Sequence, residues 1–262
     1  MRIRWHQFID GYDWKARLIP TAILLFPVFC TIYYFFPGVL SNPLQLAGGS
    51  ILAFAFVYLA SMFFRDRGVR YAKQFWEKRG GLPSTRLARM RDSYLSAHQK
   101  NRIRLAVLQG FGIRLMSLDE EYEYPALADR QIMDAFREVK EFLRRGDGCG
   151  LVDKHGAEYG FVRNLCASRM IFVIEAVGGF VVCGFKGNWP HWNLTAGGWA
   201  NVVLLILWLP FAWLVLPRML MLNADAYAGR AWVTFLSLTE GSSKKPSTAV
   251  NSRTDRRRAS SE

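Results

Sequence analysis

Two stretches of nineteen residues, Leu18 to Phe36 and Leu46 to Phe64, contain no charged side chain. At about 1.5 Å per helical residue each covers the roughly 30 Å of hydrocarbon in a bilayer. Between them lies PGVLSNPLQ, uncharged and with two prolines, so the two runs predict a tight hairpin of antiparallel helices. Met170 to Phe185 is a shorter run that contains Glu175, Gly178, Gly179 and Gly184, and a buried core helix can have the same composition. Gly198 to Leu222 is longer and strongly apolar, although it carries Asn201, Pro210, Pro217 and Arg218. A fourth span needs a third to return the chain, and the reading is therefore four transmembrane helices in two hairpins.

Apolar residues make up 51% of the chain and aromatics 15%, yet its formal net charge is +13. That combination fits lipid-embedded segments beside cationic cytoplasmic ones and excludes an ordinary soluble globule. Cys30, Cys149, Cys166 and Cys183 form no paired pattern, which points to a reducing compartment. The apolar run after the lead-in has no small-residue cleavage site, so it is expected to be retained as the first span.

Positive charge sets the orientation. The lead-in has Arg2, Arg4, Lys15 and Arg17, and the segment Arg65 to Arg169 has twenty-one Lys and Arg. The first hairpin loop has none, the loop after the third run has Lys186, and seven more cations follow from Arg230. Both termini are expected on the cytoplasmic side of the membrane, with Trp189, Trp192 and Trp199 as an interfacial belt on the other side. Five segments follow: a lead-in 1–17, a membrane hairpin 18–64, a basic cytoplasmic domain 65–169, a second hairpin 170–222 and a tail 223–262, disordered from about 240. The fold class is all-α or mainly α.

Within the central domain, the second span is predicted to run on through RDRGVRYAKQFWEKR until Gly80 and Gly81 stop it. Ser84 or Thr85 can cap a helix continuing through RLARMRDSYLSAHQKNRIRLAVL. Pro125 suits a first helical turn, and Ile132, Phe136, Val139 and Leu143 share one face. That face is expected to pack against the helix containing Leu87, Met90 and Tyr94. Gly146 to Gly160 is glycine-rich and reads as a hairpin or an ordered loop.

No catalytic constellation stands out. His6, His98, His155 and His191 are scattered without metal-ligand spacing, GDGCG lacks the lysine of a P-loop, and no cofactor or metal is expected. An enzyme is therefore not expected. Glu175 differs, because an ionisable group within a span costs at least a few kcal/mol. Glu175 and Arg218 both lie roughly one to two turns from the cytoplasmic surface and could meet as an ion pair. The alternative is a Glu175 that, repeated in an oligomer, lines a cation path with Asn201 nearby. Arg65 to Arg114 has thirteen cations against Asp66, Glu77 and Asp92, a density that suits nucleotide or oligonucleotide phosphates or anionic lipid headgroups. Arg86, Arg89, Arg91, Arg102, Arg104 and Arg163 are the candidate phosphate ligands.

RDRG after the second span, Gly80-Gly81-Leu82-Pro83-Ser84-Thr85, Arg89-Met90-Arg91-Asp92 and Tyr159-Gly160-Phe161-Val162-Arg163-Asn164-Leu165 resemble the elements GG-x-P-[ST]-T, R-x-R-D and YGF-x-RN of a family of small bacterial membrane proteins. The match spans roughly residues 65 to 169. That family is similar to the membrane component of Hailong-type anti-phage defence systems. The resemblance implies an oligomeric channel held shut by a DNA oligomer that a partner nucleotidyltransferase makes. Cys166-Ala167-Ser168 departs from the Trp-Gly stretch of the family pattern. For Arg91, Asp92 and Arg163 a structural pairing with one another or with backbone is expected first, with Arg163 on a ligand phosphate as the functional alternative. A different class of function fits the same plan: a non-conducting membrane scaffold or receptor that recruits a soluble partner.

Overall fold

A computed structural model describes residues 11–35, 43–145, 150–186 and 195–243, and every described element is a helix or a turn. The lead-in before Gly11, the first hairpin loop, most of GDGCG, Trp189 and Trp192 of the aromatic belt, and the tail beyond Ser243 lie outside the described residues.

The first apolar run forms α1 (Gly11–Leu24) and α2 (Phe26–Phe35), bent by 48° at Leu25. Proline explains the bend. Pro27 gives no N–H to the carbonyl four residues before it, and helices kink where that bond is missing. α3 (Pro43–Glu77) runs unbroken from the second apolar stretch into the basic segment. It ends where Gly80 and Gly81 take positive φ of 79° and 109°, and the Gly81 N–H closes onto the Trp76 carbonyl at 2.9 Å.

Beyond α4 (Pro83–Ala88) the expected long helix is interrupted. Residues 89–96 form a loop, and α5 (Ala97–Phe111) starts afresh because the Ser96 hydroxyl accepts from the Gln99 N–H and caps it. α5 stops at Gly112 in the left-handed conformation. α6 (Leu118–Glu123) opens on a capping box between Ser117 and Glu120, and α7 (Pro125–Arg145) carries the amphipathic face anticipated for it.

α8 (Gly150–Lys186) replaces the expected hairpin or loop after Gly150 with continuous helix. Gly156 and Gly160 stand in its interior for spacing rather than for turning. A Cβ on Gly156 would lie 3.2 Å from the Tyr227 ring, and one on Gly160 would lie 3.1 Å from the Ala16 methyl. α9 (Ala196–Pro210) continues through a π-helical turn, Phe211–Val215, into α10 (Leu216–Ser243), well past the expected end of the fourth span at Leu222.

Among the described residues three helices are long and apolar enough to cross a membrane, or four when the bent pair α1–α2 is one span. Their outer faces carry Ile51, Leu52, Leu59, Ile206, Leu207 and Leu214 exposed. In water such a surface would be strongly unfavourable, and in hydrocarbon it costs little.

Contacts divide the chain into two units, Met1–Arg86 with Gly150–Arg230, and Leu87–Cys149 with Ala231–Glu262. Both ends of the basic segment 65–169 are continuous with apolar helices, α3 on one side and α8 on the other. The first unit holds a core in which Phe172 stacks on Trp208 at 4.2 Å and the Trp76 indole donates to the Tyr159 hydroxyl at 3.2 Å. In the second unit Ile132, Phe136, Val139 and Leu143 are all buried. Their expected partner face is only partly right. Leu87 is buried, but Tyr94 sits in the loop and is 62% exposed. The aromatic contacts come instead from the end of α10, with Phe136 5.2 Å from Trp232 and Phe142 5.7 Å from Phe235.

Candidate functional site

A spanning helix has to satisfy its own backbone, so each proline in one leaves a carbonyl that something else must serve. Pro20 gives no N–H to Ala16, and the Asn164 side chain donates to that carbonyl at 2.7 Å. In the π turn of α9, the Leu216 N–H goes to the Phe211 carbonyl, which leaves Pro217 as the useless fifth-residue partner of Ala212. There the Arg169 guanidinium donates to Ala212 at 3.3 Å and lies 4.9 Å from the centre of the Trp213 ring. The Trp208 indole in turn donates to the Arg169 carbonyl at 3.1 Å. Arg169 and Asn164 escaped the sequence reading as functional residues, although the spacing of Pro20 and Pro217 was the available signal. α8 is thereby tied to both neighbouring spans by side chains that replace missing proline N–H groups.

Deeper along α8 a small polar node forms. Asn201 is fully buried and its amide donates to the Gly197 carbonyl at 3.0 Å and the Thr31 hydroxyl at 3.4 Å. Gly179 makes room for it, since a Cβ there would meet the Thr31 hydroxyl at 2.3 Å and the Asn201 amide at 2.8 Å. The Asn201 Oδ1 remains without a partner.

Glu175 lies one turn before Gly179 on α8, half-buried, with its Oε2 enclosed and unpartnered. Arg218 does not answer it. No ion pair between them occurs among the described residues, and Arg218 is exposed on α10. A depth estimate says nothing about helix rotation, and the Arg218 side chain is exposed. Beside Glu175, Ile174, Val177, Gly178, Val181 and Val182 form an exposed strip, and a Cβ on Gly178 or Gly184 would meet nothing within 4 Å.

The arginines proposed as phosphate ligands divide sharply. Arg86 pairs with Asp225 at 2.7 Å, and Arg102 grips Glu240 at 2.5 Å. Arg89 holds Asp129 through two bonds of 2.6 and 2.5 Å, while Arg91 reaches the same carboxylate at 3.5 Å. Arg104 pairs with Glu121 at 2.6 Å. Glu121, 1% exposed, also accepts from the Met90 N–H at 2.9 Å, so it fixes the loop after α4. Lys100, 2% exposed, fastens the same loop by donating to the Met90 and Asp92 carbonyls, and burial pushes its ammonium below the usual lysine range against the opposing pull of Asp92. The Asp92 carboxylate caps the Tyr94 N–H at 2.8 Å. Arg91 is thus held by Asp129 and Asp92 by backbone, the second being one of the two kinds of partner expected for these residues.

Arg163 alone of the six has no carboxylate among the described residues. Its guanidinium lies 5.6 Å from the centre of the Tyr159 ring and against Gly68 of α3, its Nε is enclosed without a partner, and the positive charges of Arg65 and Arg17 reach it. Asp13 and Asp66, the acids nearest this end of α1 and α3, are engaged by Arg17 at 3.0 Å and Arg70 at 2.5 Å. Comparison with protein-family models, curated proteins and solved structures returns no match.

Proposed function

We propose that the chain assembles into an oligomeric ion-conducting channel of the bacterial inner membrane, each copy with four spans in two hairpins and both termini cytoplasmic. One observation carries the reading: a carboxylate within a span, Glu175, whose enclosed oxygen has no partner, next to an exposed glycine-bearing strip of the same helix. Such a group in hydrocarbon is strongly unfavourable unless water, a cation or a neighbouring copy attends it. Small residues allow close helix approach, and Gly178 and Gly184 offer it to a second copy. A ring of Glu175 side chains around a wet axis satisfies the carboxylates and selects cations.

The soluble unit is the gate in this reading, and the resemblance to the Hailong-type component supports an oligonucleotide as its signal, with antiviral defence as the setting and a nucleotidyltransferase as the source. The loosely held Arg91, shared with Arg89 on one Asp129, is the cation such a ligand would engage first in that unit. Single-channel recording of the purified protein in planar bilayers tests the proposal. Cation-selective currents are expected, and Glu175→Gln should lower selectivity and conductance while leaving assembly unchanged. Absence of current in every ligand state overturns it.

A non-conducting scaffold is favoured by a different feature. Leu105 and Leu108 are exposed three residues apart on α5, and Tyr122 and Tyr124 are exposed beyond it, a surface suited to a soluble partner. Stable co-purification of such a partner with a protein that carries no current would select this reading.

A further inference from the structure

An open cleft of about 790 Å³ lies between α1, α3 and α9, with walls from Trp14, Leu18, Ala22, Phe54, Val57 and Trp208. At one end the same two helices, α1 and α3, form a second, polar hollow of about 400 Å³ whose lining includes Arg17, Ser61 and Arg65. Leu18 borders both, and on α3 the apolar wall ends at Val57 where the polar one begins at Tyr58. The two hollows adjoin at Leu18 and along α3. Along α3 the distance from Phe54 in the apolar cleft to the cation at Arg65 in the polar hollow is about 16 Å.

Asp13 and Asp66 line the polar hollow beside Arg17 and Arg65, and one cation is left over because Asp66 is taken from outside the lining. Arg17 is taken by Asp13 and Asp66 by Arg70, but Arg65 is exposed and in no ion pair among the described residues. One turn further along α3, the Arg163 guanidinium lies behind Gly68, outside the lining of either hollow, with its Nε enclosed and without a partner. A free phosphate would answer the charge and leave the cleft empty. A helix from a second copy would fill the cleft and leave the arginines unmatched. We infer that the groove between α1 and α3 seats an anionic phospholipid, its phosphodiester at Arg65 with Arg17 and Arg163 behind and one acyl chain in the cleft. The recognition is the ordinary pairing of a phosphate with guanidinium donors, joined to burial of hydrocarbon. This inference stands on membrane insertion and does not need the chain to conduct.

Native mass spectrometry of the full-length protein, loaded with phosphatidylglycerol or phosphatidylcholine and then stripped with increasing detergent, reads the site directly. One phosphatidylglycerol per chain is expected to persist after phosphatidylcholine has gone. Arg65→Gln should weaken its retention about fivefold. Ala22→Trp fills the cleft without touching an arginine and should expel the lipid. Both positions are exposed, so neither change threatens the fold. Glycerol phosphate in solution should not compete. Equal loss of the two lipids, unchanged retention in Ala22→Trp, displacement by glycerol phosphate, or efficient cross-linking of Ala22→Cys to a second copy would each overturn the proposal.

Discussion

The two units differ in how far their enclosed charges are matched. In the soluble unit Glu121 is enclosed and meets a guanidinium and two backbone N–H groups, Lys100 meets two carbonyls, and Arg89 meets both oxygens of Asp129. In the membrane unit Arg163, Glu175 and Asn201 each keep an enclosed atom with no partner. An unsatisfied polar atom costs more in hydrocarbon than at a protein surface. In the soluble unit the enclosed exceptions among the described residues are the Arg104 Nε and the Gln131 Oε1, and Arg104 is still held by Glu121 at 2.6 Å, so its charge is matched where that of Glu175 is not.

The sharpest way to break that contrast is to strand a charge in the matched region. Glu121→Ala leaves Arg104 enclosed without its carboxylate and frees the Met90 N–H, and losing one half of a buried pair costs about 3 to 5 kcal/mol. Pulse proteolysis in urea should show the soluble unit unfolding at much lower denaturant. Replacing Arg104 with Met in the same chain should recover part of the loss, because the burial of its charge already opposes that ion's presence there. Unchanged resistance in Glu121→Ala would show that the network holds nothing together.

A middle effect is expected at Asn164. Asn164→Ala leaves the Ala16 carbonyl, already denied an N–H by Pro20, with no donor, a penalty of about 1 to 3 kcal/mol. Thermal inactivation in detergent should move to lower temperature, and Asn164→Asp, which cannot donate when ionised, should not rescue it. Stability equal to the parent in Asn164→Ala would show that water reaches the carbonyl, and the membrane unit would then be wetter than its lining residues imply.

Local pattern explains what the chain revealed before its structure and what it withheld. Charge-free runs of nineteen residues announce spans because length and apolarity are both local, and Ile132, Phe136, Val139 and Leu143 announce a buried face for the same reason. The break after α4 was also local, but Ser96 as a cap was outweighed by a continuing helical composition. Gly156 and Gly160 misled because glycine serves turns and close helix contacts alike, and the choice depends on Tyr227 and Ala16, far away in sequence. The ion pairs of Arg89 with Asp129 and of Arg102 with Glu240 bridge 40 and 138 residues, beyond any periodicity. That is why six arginines of equal appearance in the sequence separate into five with carboxylates and one without. Trp232 and Phe235, three residues apart, carried a helical signal that placing the end of the fourth span at Leu222 obscured.

The smallest effect belongs to the start of α6, where satisfaction is exposed rather than enclosed. The Glu120 carboxylate accepts the Ser117 N–H at 2.6 Å, and the Ser117 hydroxyl accepts the Glu120 N–H at 3.3 Å. Bonding to the Ser117 backbone, then to its side chain, lowers the Glu120 carboxyl from its ordinary 4.5, with Arg114 at 3.3 Å adding a weaker pull. A carboxylate depressed in the folded state contributes its stability fully above the unfolded value, and that contribution fades as pH falls through the folded one. Amide-exchange protection at Ser117 and Glu120, taken relative to the unfolded chain at each pH, should therefore hold above about pH 5 and fall in the acid range below the ordinary carboxylate value. Glu120→Gln should remove the acid step while keeping most of the cap, because a side-chain carbonyl still accepts the Ser117 N–H. An acid step that survives in Glu120→Gln would show that the capping carboxylate is not the group behind it, and that the cap holds the start of α6 without its charge.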